Sequence, residues 1–264
     1  MNRIGKSAVI DRRPTVIVAL AAAITLAFGL PASQASAAQS VAASPNWTGI
    51  WLRQGSFNFD PSVPPEQSPN PPYRPDWMAK YRAGLDLMKK GQAPADPTAG
   101  CVPGGMPRIM NMVYPMEILQ TPGQVTIIAE WMSQVRRIYT DGRKLPTADM
   151  LDPTYNGYSV GRWEGKTLIV DTVGLRDDTV FDQTGVRHSA QMTIHEQFRE
   201  VSPGALELML TVNDPVAFEK PWTVKKTFKR AEKGEQMMEY VCQENNRNPI
   251  DANGVVQTIL KGGN

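Results

Sequence analysis

The sequence holds little of what metal and redox centres are made from: two histidines and two cysteines among 264 residues. No C-x-x-C, H-x-H or H-E-x-x-H spacing occurs, so no zinc-type ligand set is encoded. Phosphate loops and dinucleotide-binding glycine fingerprints are missing as well, and any catalysis is expected to be cofactor-free. Past residue 30 no apolar run approaches the roughly 20 residues that cross a bilayer as a helix. A charge excess is lacking too, with a formal net charge of only +2.

Even that excess is local. Arg3, Lys6, Arg12 and Arg13 form a basic start, Val16 to Leu30 is apolar, and Ala35-Ser36-Ala37 offers a peptidase site. These are the parts of a cleavable secretory signal over residues 1–37. The leader holds four of the 28 basic residues and one of the 26 acidic ones, so its loss takes the formal charge from +2 to −1. A nucleic-acid partner is therefore not expected. Neither is a membrane span once the leader is gone, and the setting is periplasmic or secreted. In such a chain Cys101 and Cys242 are expected to form a disulfide.

The mature chain has the size of one domain. Asn46 to Trp51 reads as a first strand, and the prolines from Pro61 to Pro75 can only be extended. Asp76 is placed to cap a helix that Gly91 ends, with Trp77, Tyr81, Leu85 and Met88 on its apolar face. From Met106 the pattern is strand and turn. Runs are expected near 107–120, 123–132, 135–140, 157–163, 166–173, 191–201, 205–212, 222–231 and 235–243. Asp141-Gly142, Glu164-Gly165, Pro203-Gly204 and Lys233-Gly234 lie between them as turns. Nothing alternates strand with helix. The expected fold is mainly β: an antiparallel meander closing into a barrel, with a β-sandwich as the alternative. The expected division is 38–105 for the first strand, Pro-rich segment and helix, 106–247 for the barrel, and 248–264 for a tail.

Gly49-Ile50-Trp51 resembles the G-x-W signature of lipocalins and other calycin-type barrels. A longer resemblance covers Cys101 to Arg247: Pro107-Arg108-Ile109-Met110, Val135-Arg136-Arg137-Ile138-Tyr139, Gly161-Arg162-Trp163-Glu164-Gly165, Leu168-Ile169-Val170-Asp171-Thr172, Lys220-Pro221-Trp222-Thr223 and Glu239-Tyr240-Val241-Cys242. These segments are similar to those of a family of secreted bacterial proteins of unassigned function. Such proteins usually carry Asp in place of Lys166 and Phe-Asn in place of Leu175-Arg176. The resemblance implies a barrel-like fold and export, and no substrate.

Gly157-Tyr158-Ser159-Val160-Gly161 matches the serine-hydrolase elbow, but the elbow needs a strand, a sharp turn and a helix. Here the chain runs straight into another strand, so Ser159 reads as a strand serine. Met106, Met110, Met112 and Met116 could form a soft copper site; they read better as core filling. The period-two pattern is more informative. Met192, Ile194, Glu196 and Phe198 share one face, as do Trp222, Val224, Lys226 and Phe228, so each apolar face carries one charge inward. Glu196 and Lys226 are expected to pair with each other or with neighbours. Glu130 and Arg137 are further interior candidates, Arg137 sharing a face with Val135 and Tyr139. The long connection from Leu175 to Ala190 holds Asp177, Asp178, Asp182, His188 and Ser189, and loops of that length often cover sites.

The expectation is an enclosed cavity for a small apolar or aromatic molecule. Glu130, Trp131, Arg137, Tyr139, Phe198 and Trp222 would bind it, and His188, Glu196 and Lys226 would perform acid–base chemistry of a lyase or isomerase type. The alternative is a non-catalytic carrier of the lipocalin kind. No metal or cofactor is expected.

Overall fold

The structure is a computed structural model, and it describes residues 44–55 and 71–242. The expected leader, most of the proline-rich stretch and the C-terminal tail lie outside the described residues. Strands β1 (Gly49–Gln54), β2 (Met116–Thr121), β3 (Gln124–Ala129), β4 (Gln134–Tyr139), β5 (Tyr158–Glu164), β6 (Thr167–Val173), β7 (Thr193–Ser202), β8 (Ala205–Asn213) and β9 (Trp222–Arg230) follow in order, with helix α1 (Pro75–Lys89) between β1 and β2. Each strand pairs with the next, and β1 pairs with β9 to close a barrel. The sandwich alternative is therefore excluded. Strand β1, which the sequence division set apart, is the stave that closes the ring.

Tight turns are placed by glycine. Gly165 and Gly204 have φ of 60° and 75°, a region costly for residues with a Cβ, and they turn β5 into β6 and β7 into β8 as expected. Asp141-Gly142 instead opens a long crossover, so β4 and β5 run parallel, joined only at Ile138–Ser159 and Tyr139–Val160. That is the one departure from an antiparallel meander. The run near 107–120 is a strand only from Met116, because Arg108–Asn111 coils into a buried 3-10 turn. The run near 235–243 is not a strand: β9 already hydrogen-bonds β1 and β8, leaving no edge for it to join.

The barrel ends differ. One carries the short hairpins, and there the lead-in before β1 is stitched across the opening. Trp51 Nε1 donates to the Trp47 carbonyl (2.8 Å), Arg230 donates to the carbonyls of Thr48 (2.7 Å) and Asn46 (3.1 Å), and its guanidinium lies 4.4 Å from the Trp51 ring. The other end carries the long connections: the segment leading to β2, residues 174–192, and residues 214–221. Helix α1 packs there. It starts at Pro75, whose missing N–H costs nothing in a first turn, with Arg74 and not Asp76 at the cap. Tyr81 and Gly84 are its buried residues, and a Cβ on Gly84 would lie 2.1 Å from the Thr184 carbonyl oxygen. Tyr73, Phe181, Phe218 and Trp222 form an aromatic cluster beneath, with ring centroids 5.1 to 6.4 Å apart. Among the described residues no helix is long and apolar enough to cross a membrane.

Candidate functional site

Period-two alternation places Glu196 and Lys226 inside the barrel as expected, both buried. They do not pair with each other. The Arg136 guanidinium holds both oxygens of Glu196, with Nη1 donating to Oε1 at 2.9 Å and Nη2 to Oε2. Its remaining donors reach Ser159 (3.2 Å) and Thr172 (3.0 Å), whose hydroxyls lie 2.8 Å apart. Four staves thus supply one saturated polar network, as a bidentate guanidinium–carboxylate pair requires once buried. Ser159 is consumed in it and is fully buried, so it stands on no exposed elbow.

Arg137 is not the interior arginine. On β4 the inward residues are Gln134, Arg136 and Ile138, while Val135 and Arg137 face outward. Arg137 and Tyr139 line an outer groove of about 330 Å³ along the thin β4–β5 seam. The Tyr139 ring is held outside by the Arg143 guanidinium, 3.8 Å from its centroid, and by Tyr158 at 5.3 Å. The apolar look of Val135 and Tyr139 misled the face assignment. Glu196, Ser159 and Thr172 all point inward, and the need of the buried Glu196 carboxylate for a cation, beside hydroxyls that need donors, was the signal that could have found Arg136.

Lys226 donates to Asn111 Oδ1, in the 3-10 turn that caps the barrel end. Burial, with the charge of Arg53, pushes its ammonium well below the usual lysine range. Glu130 lies outside, where its Oε2 accepts from Met238 N–H at 2.7 Å. Phe198 is in the apolar interior and Trp222 in the aromatic cluster. Trp51, Val170, Leu206 and Leu208 are 0% exposed, so no water-sized void borders these inward side chains. Two larger clefts among the described residues lie at the rim.

His188 sits in the 174–192 connection, in the wall of a cleft of about 490 Å³ shared with Trp77, Lys80 and Asp177. Both ring nitrogens are engaged. The Ser189 carbonyl, 3.1 Å from Nδ1, can only accept, so Nδ1 carries the proton and Nε2 accepts from Thr179 Oγ1 at 2.8 Å. Burial lowers its pKa from the ordinary 6.5, against weaker opposing pulls from the Ser189 carbonyl and Asp214. A depressed histidine leaves stability untouched while both folded and unfolded forms are neutral. Below pH 6.5 the unfolded chain takes up a proton that the folded one resists. Stability then falls by up to about 1.4 kcal/mol per pH unit until the folded value is reached. Urea unfolding between pH 7 and about 5 should show this slope and His188→Gln should flatten it; an unchanged slope would refute the assignment.

A second rim cleft, of about 510 Å³, lies between the end of α1 and the C-terminal strap, residues 235–242. Trp131 belongs here, in a 3-10 turn between β3 and β4. Its ring is wedged against Gly104, where a Cβ would lie 2.2 Å away, and the Arg108 guanidinium lies 5.2 Å from its centroid. Arg108 is itself fixed to Asp96 at 2.9 and 2.7 Å. The strap is pinned by Met238 N–H on Glu130, by Ser133 Oγ donating to the Tyr240 carbonyl (3.0 Å), and by the Cys101–Cys242 disulfide. Among the described residues no three His, Cys, Asp or Glu gather in a metal-binding group.

Compared by sequence, the chain matches no protein-family description and no curated protein. Compared by structure, it is similar to a crystal structure of a point mutant of the fluorescent protein UnaG. The two are 13% identical over 70% of this chain and 96% of that one, with a TM-score of 0.32.

Proposed function

We propose that this chain is an exported small-molecule-binding barrel that acts as a carrier and not as an enzyme. The engagement of each ionisable group by protein partners supports this reading most. An acid–base mechanism needs its acid, base and anion-stabilising group within reach of one substrate. Here His188 is held by Thr179 and Ser189, Glu196 by Arg136, and Lys226 donates to Asn111, so each is already engaged within the protein. A carrier asks only for a stable frame and ligand-sized space, and the long-connection end of the barrel has clefts of about 490 and 510 Å³. A sequence start that reads as a cleavable leader and a disulfide between the two cysteines favour an oxidising, exported setting.

The test is a panel of small apolar and aromatic compounds, followed in parallel by thermal stabilisation and by product analysis. Saturable binding with every compound recovered unchanged is the expected result. Turnover of any compound, lost in His188→Gln while binding persists, would restore the lyase or isomerase reading.

A further inference from the structure

We infer that the cleft between the end of α1 and the C-terminal strap binds an uncharged, planar aromatic molecule. This rests on the small-molecule-binding reading and adds to it a place and a ligand class. Four observations converge. The volume, about 510 Å³, suits a molecule of two or three rings. The walls include two aromatic and two thioether side chains, Trp131, Tyr240, Met88 and Met112, surfaces that gain most from a polarisable flat partner, beside the polar Gln92 and Gln183.

The charge at the floor is already spent. Asp96 takes one donor each from Nη1 and Nη2 of Arg108 and also accepts from Thr98 N–H (3.0 Å) and Thr98 Oγ1 (2.8 Å), so the two charges already offset each other and an ionic ligand meets no unbalanced charge there. Burial pushes the Asp96 carboxyl up, but the hydrogen bonds and charge of Arg108 outweigh it and hold it below the usual carboxylate range.

The cleft is also rigid before anything binds. Gly104 blocks Trp131 from retreating, and the disulfide ties the Ala99 side to the Tyr240 side, with the Cys101 and Cys242 Cα atoms 5.7 Å apart. Preformed walls spare the ligand the entropy of ordering them.

The probe is N-phenylnaphthylamine, uncharged and fluorescent in apolar surroundings, titrated into the disulfide-intact protein beside its sulfonated, anionic counterpart. Saturable enhancement by the neutral dye is expected, with at least fivefold weaker binding of the anion. Met88 is 37% exposed, so Met88→Glu should fold normally while placing a carboxylate in the cleft. It and Tyr240→Ala should each weaken the neutral dye about tenfold. Lys229→Glu, on the outer face of β9, should leave it unchanged. Unaltered affinity in both cleft variants would overturn the site and leave the binding function standing. Tighter binding of the anion would overturn the ligand class. Failure of the neutral dye together with every compound of the panel would overturn the function itself.

Discussion

Replacing Glu196 by Leu should cost the folded state about 3–5 kcal/mol, and replacing Arg136 by Met at the same time should recover most of it. The single variant leaves a guanidinium in the barrel interior, where Arg136 is 1% exposed. Its donors to Ser159 and Thr172 remain, but two hydroxyls cannot replace the carboxylate that neutralises it. Arg136→Met alone strands the carboxylate instead, at a cost of the same order. The double variant removes both charges and fills similar volume with apolar groups, and such exchanges are often neutral or better because neither ion must then be desolvated. Guanidinium unfolding of the three variants and the parent closes the cycle. If either single variant loses less than about 1 kcal/mol, the pair is not the keystone that its geometry implies.

That network also marks where sequence reasoning succeeded and where it stopped. On β7 and β9, apolar residues at every second position leave one face unambiguous, and the charge riding on that face must go inward with it. On β4 both faces are mixed: Val135 and Tyr139 compete with Ile138, and a one-residue choice reverses which arginine is buried. The partner of Lys226 was hidden for another reason. Asn111 lies in a run that alternates well enough to read as strand, yet coils into a plug across the barrel end.

The rim cleft was least legible of all. Its walls come from Met88, Asp96, Arg108, Trp131 and Tyr240, brought together only by the closure of the ring and by the disulfide. Trp131 stood out in the sequence only as a candidate lining aromatic, and it does line this cleft. Its neighbours did not stand out, because no local periodicity relates residues so far apart in the chain.

Breaking the disulfide should have the second large effect, and it should fall on the strap. Cys101 and Cys242 are 141 residues apart, and closing a loop of that length removes up to about 5 kcal/mol of chain entropy from the unfolded state. Cys101→Ser with Cys242→Ser should therefore lower global stability, with that figure as the ceiling. The local consequence is sharper. Without the bond, residues 235–242 retain the Met238–Glu130 and Ser133–Tyr240 hydrogen bonds and the edge contact of Tyr240 with Tyr114, 5.9 Å between ring centroids. Exposed hydrogen bonds contribute about 1 kcal/mol each, while ordering backbone costs about 1–2 kcal/mol per residue. The strap should then detach with the barrel still folded, since no strand pairs with it. In hydrogen exchange the Met238 amide, which donates to Glu130, should lose protection while those of β7, β8 and β9 keep theirs, and Tyr240 should leave the cleft wall. Continued protection of the Met238 amide in the double serine variant would mean that the bond to Glu130 and packing hold the strap. In that case the rigidity of the cleft owes nothing to the cysteines.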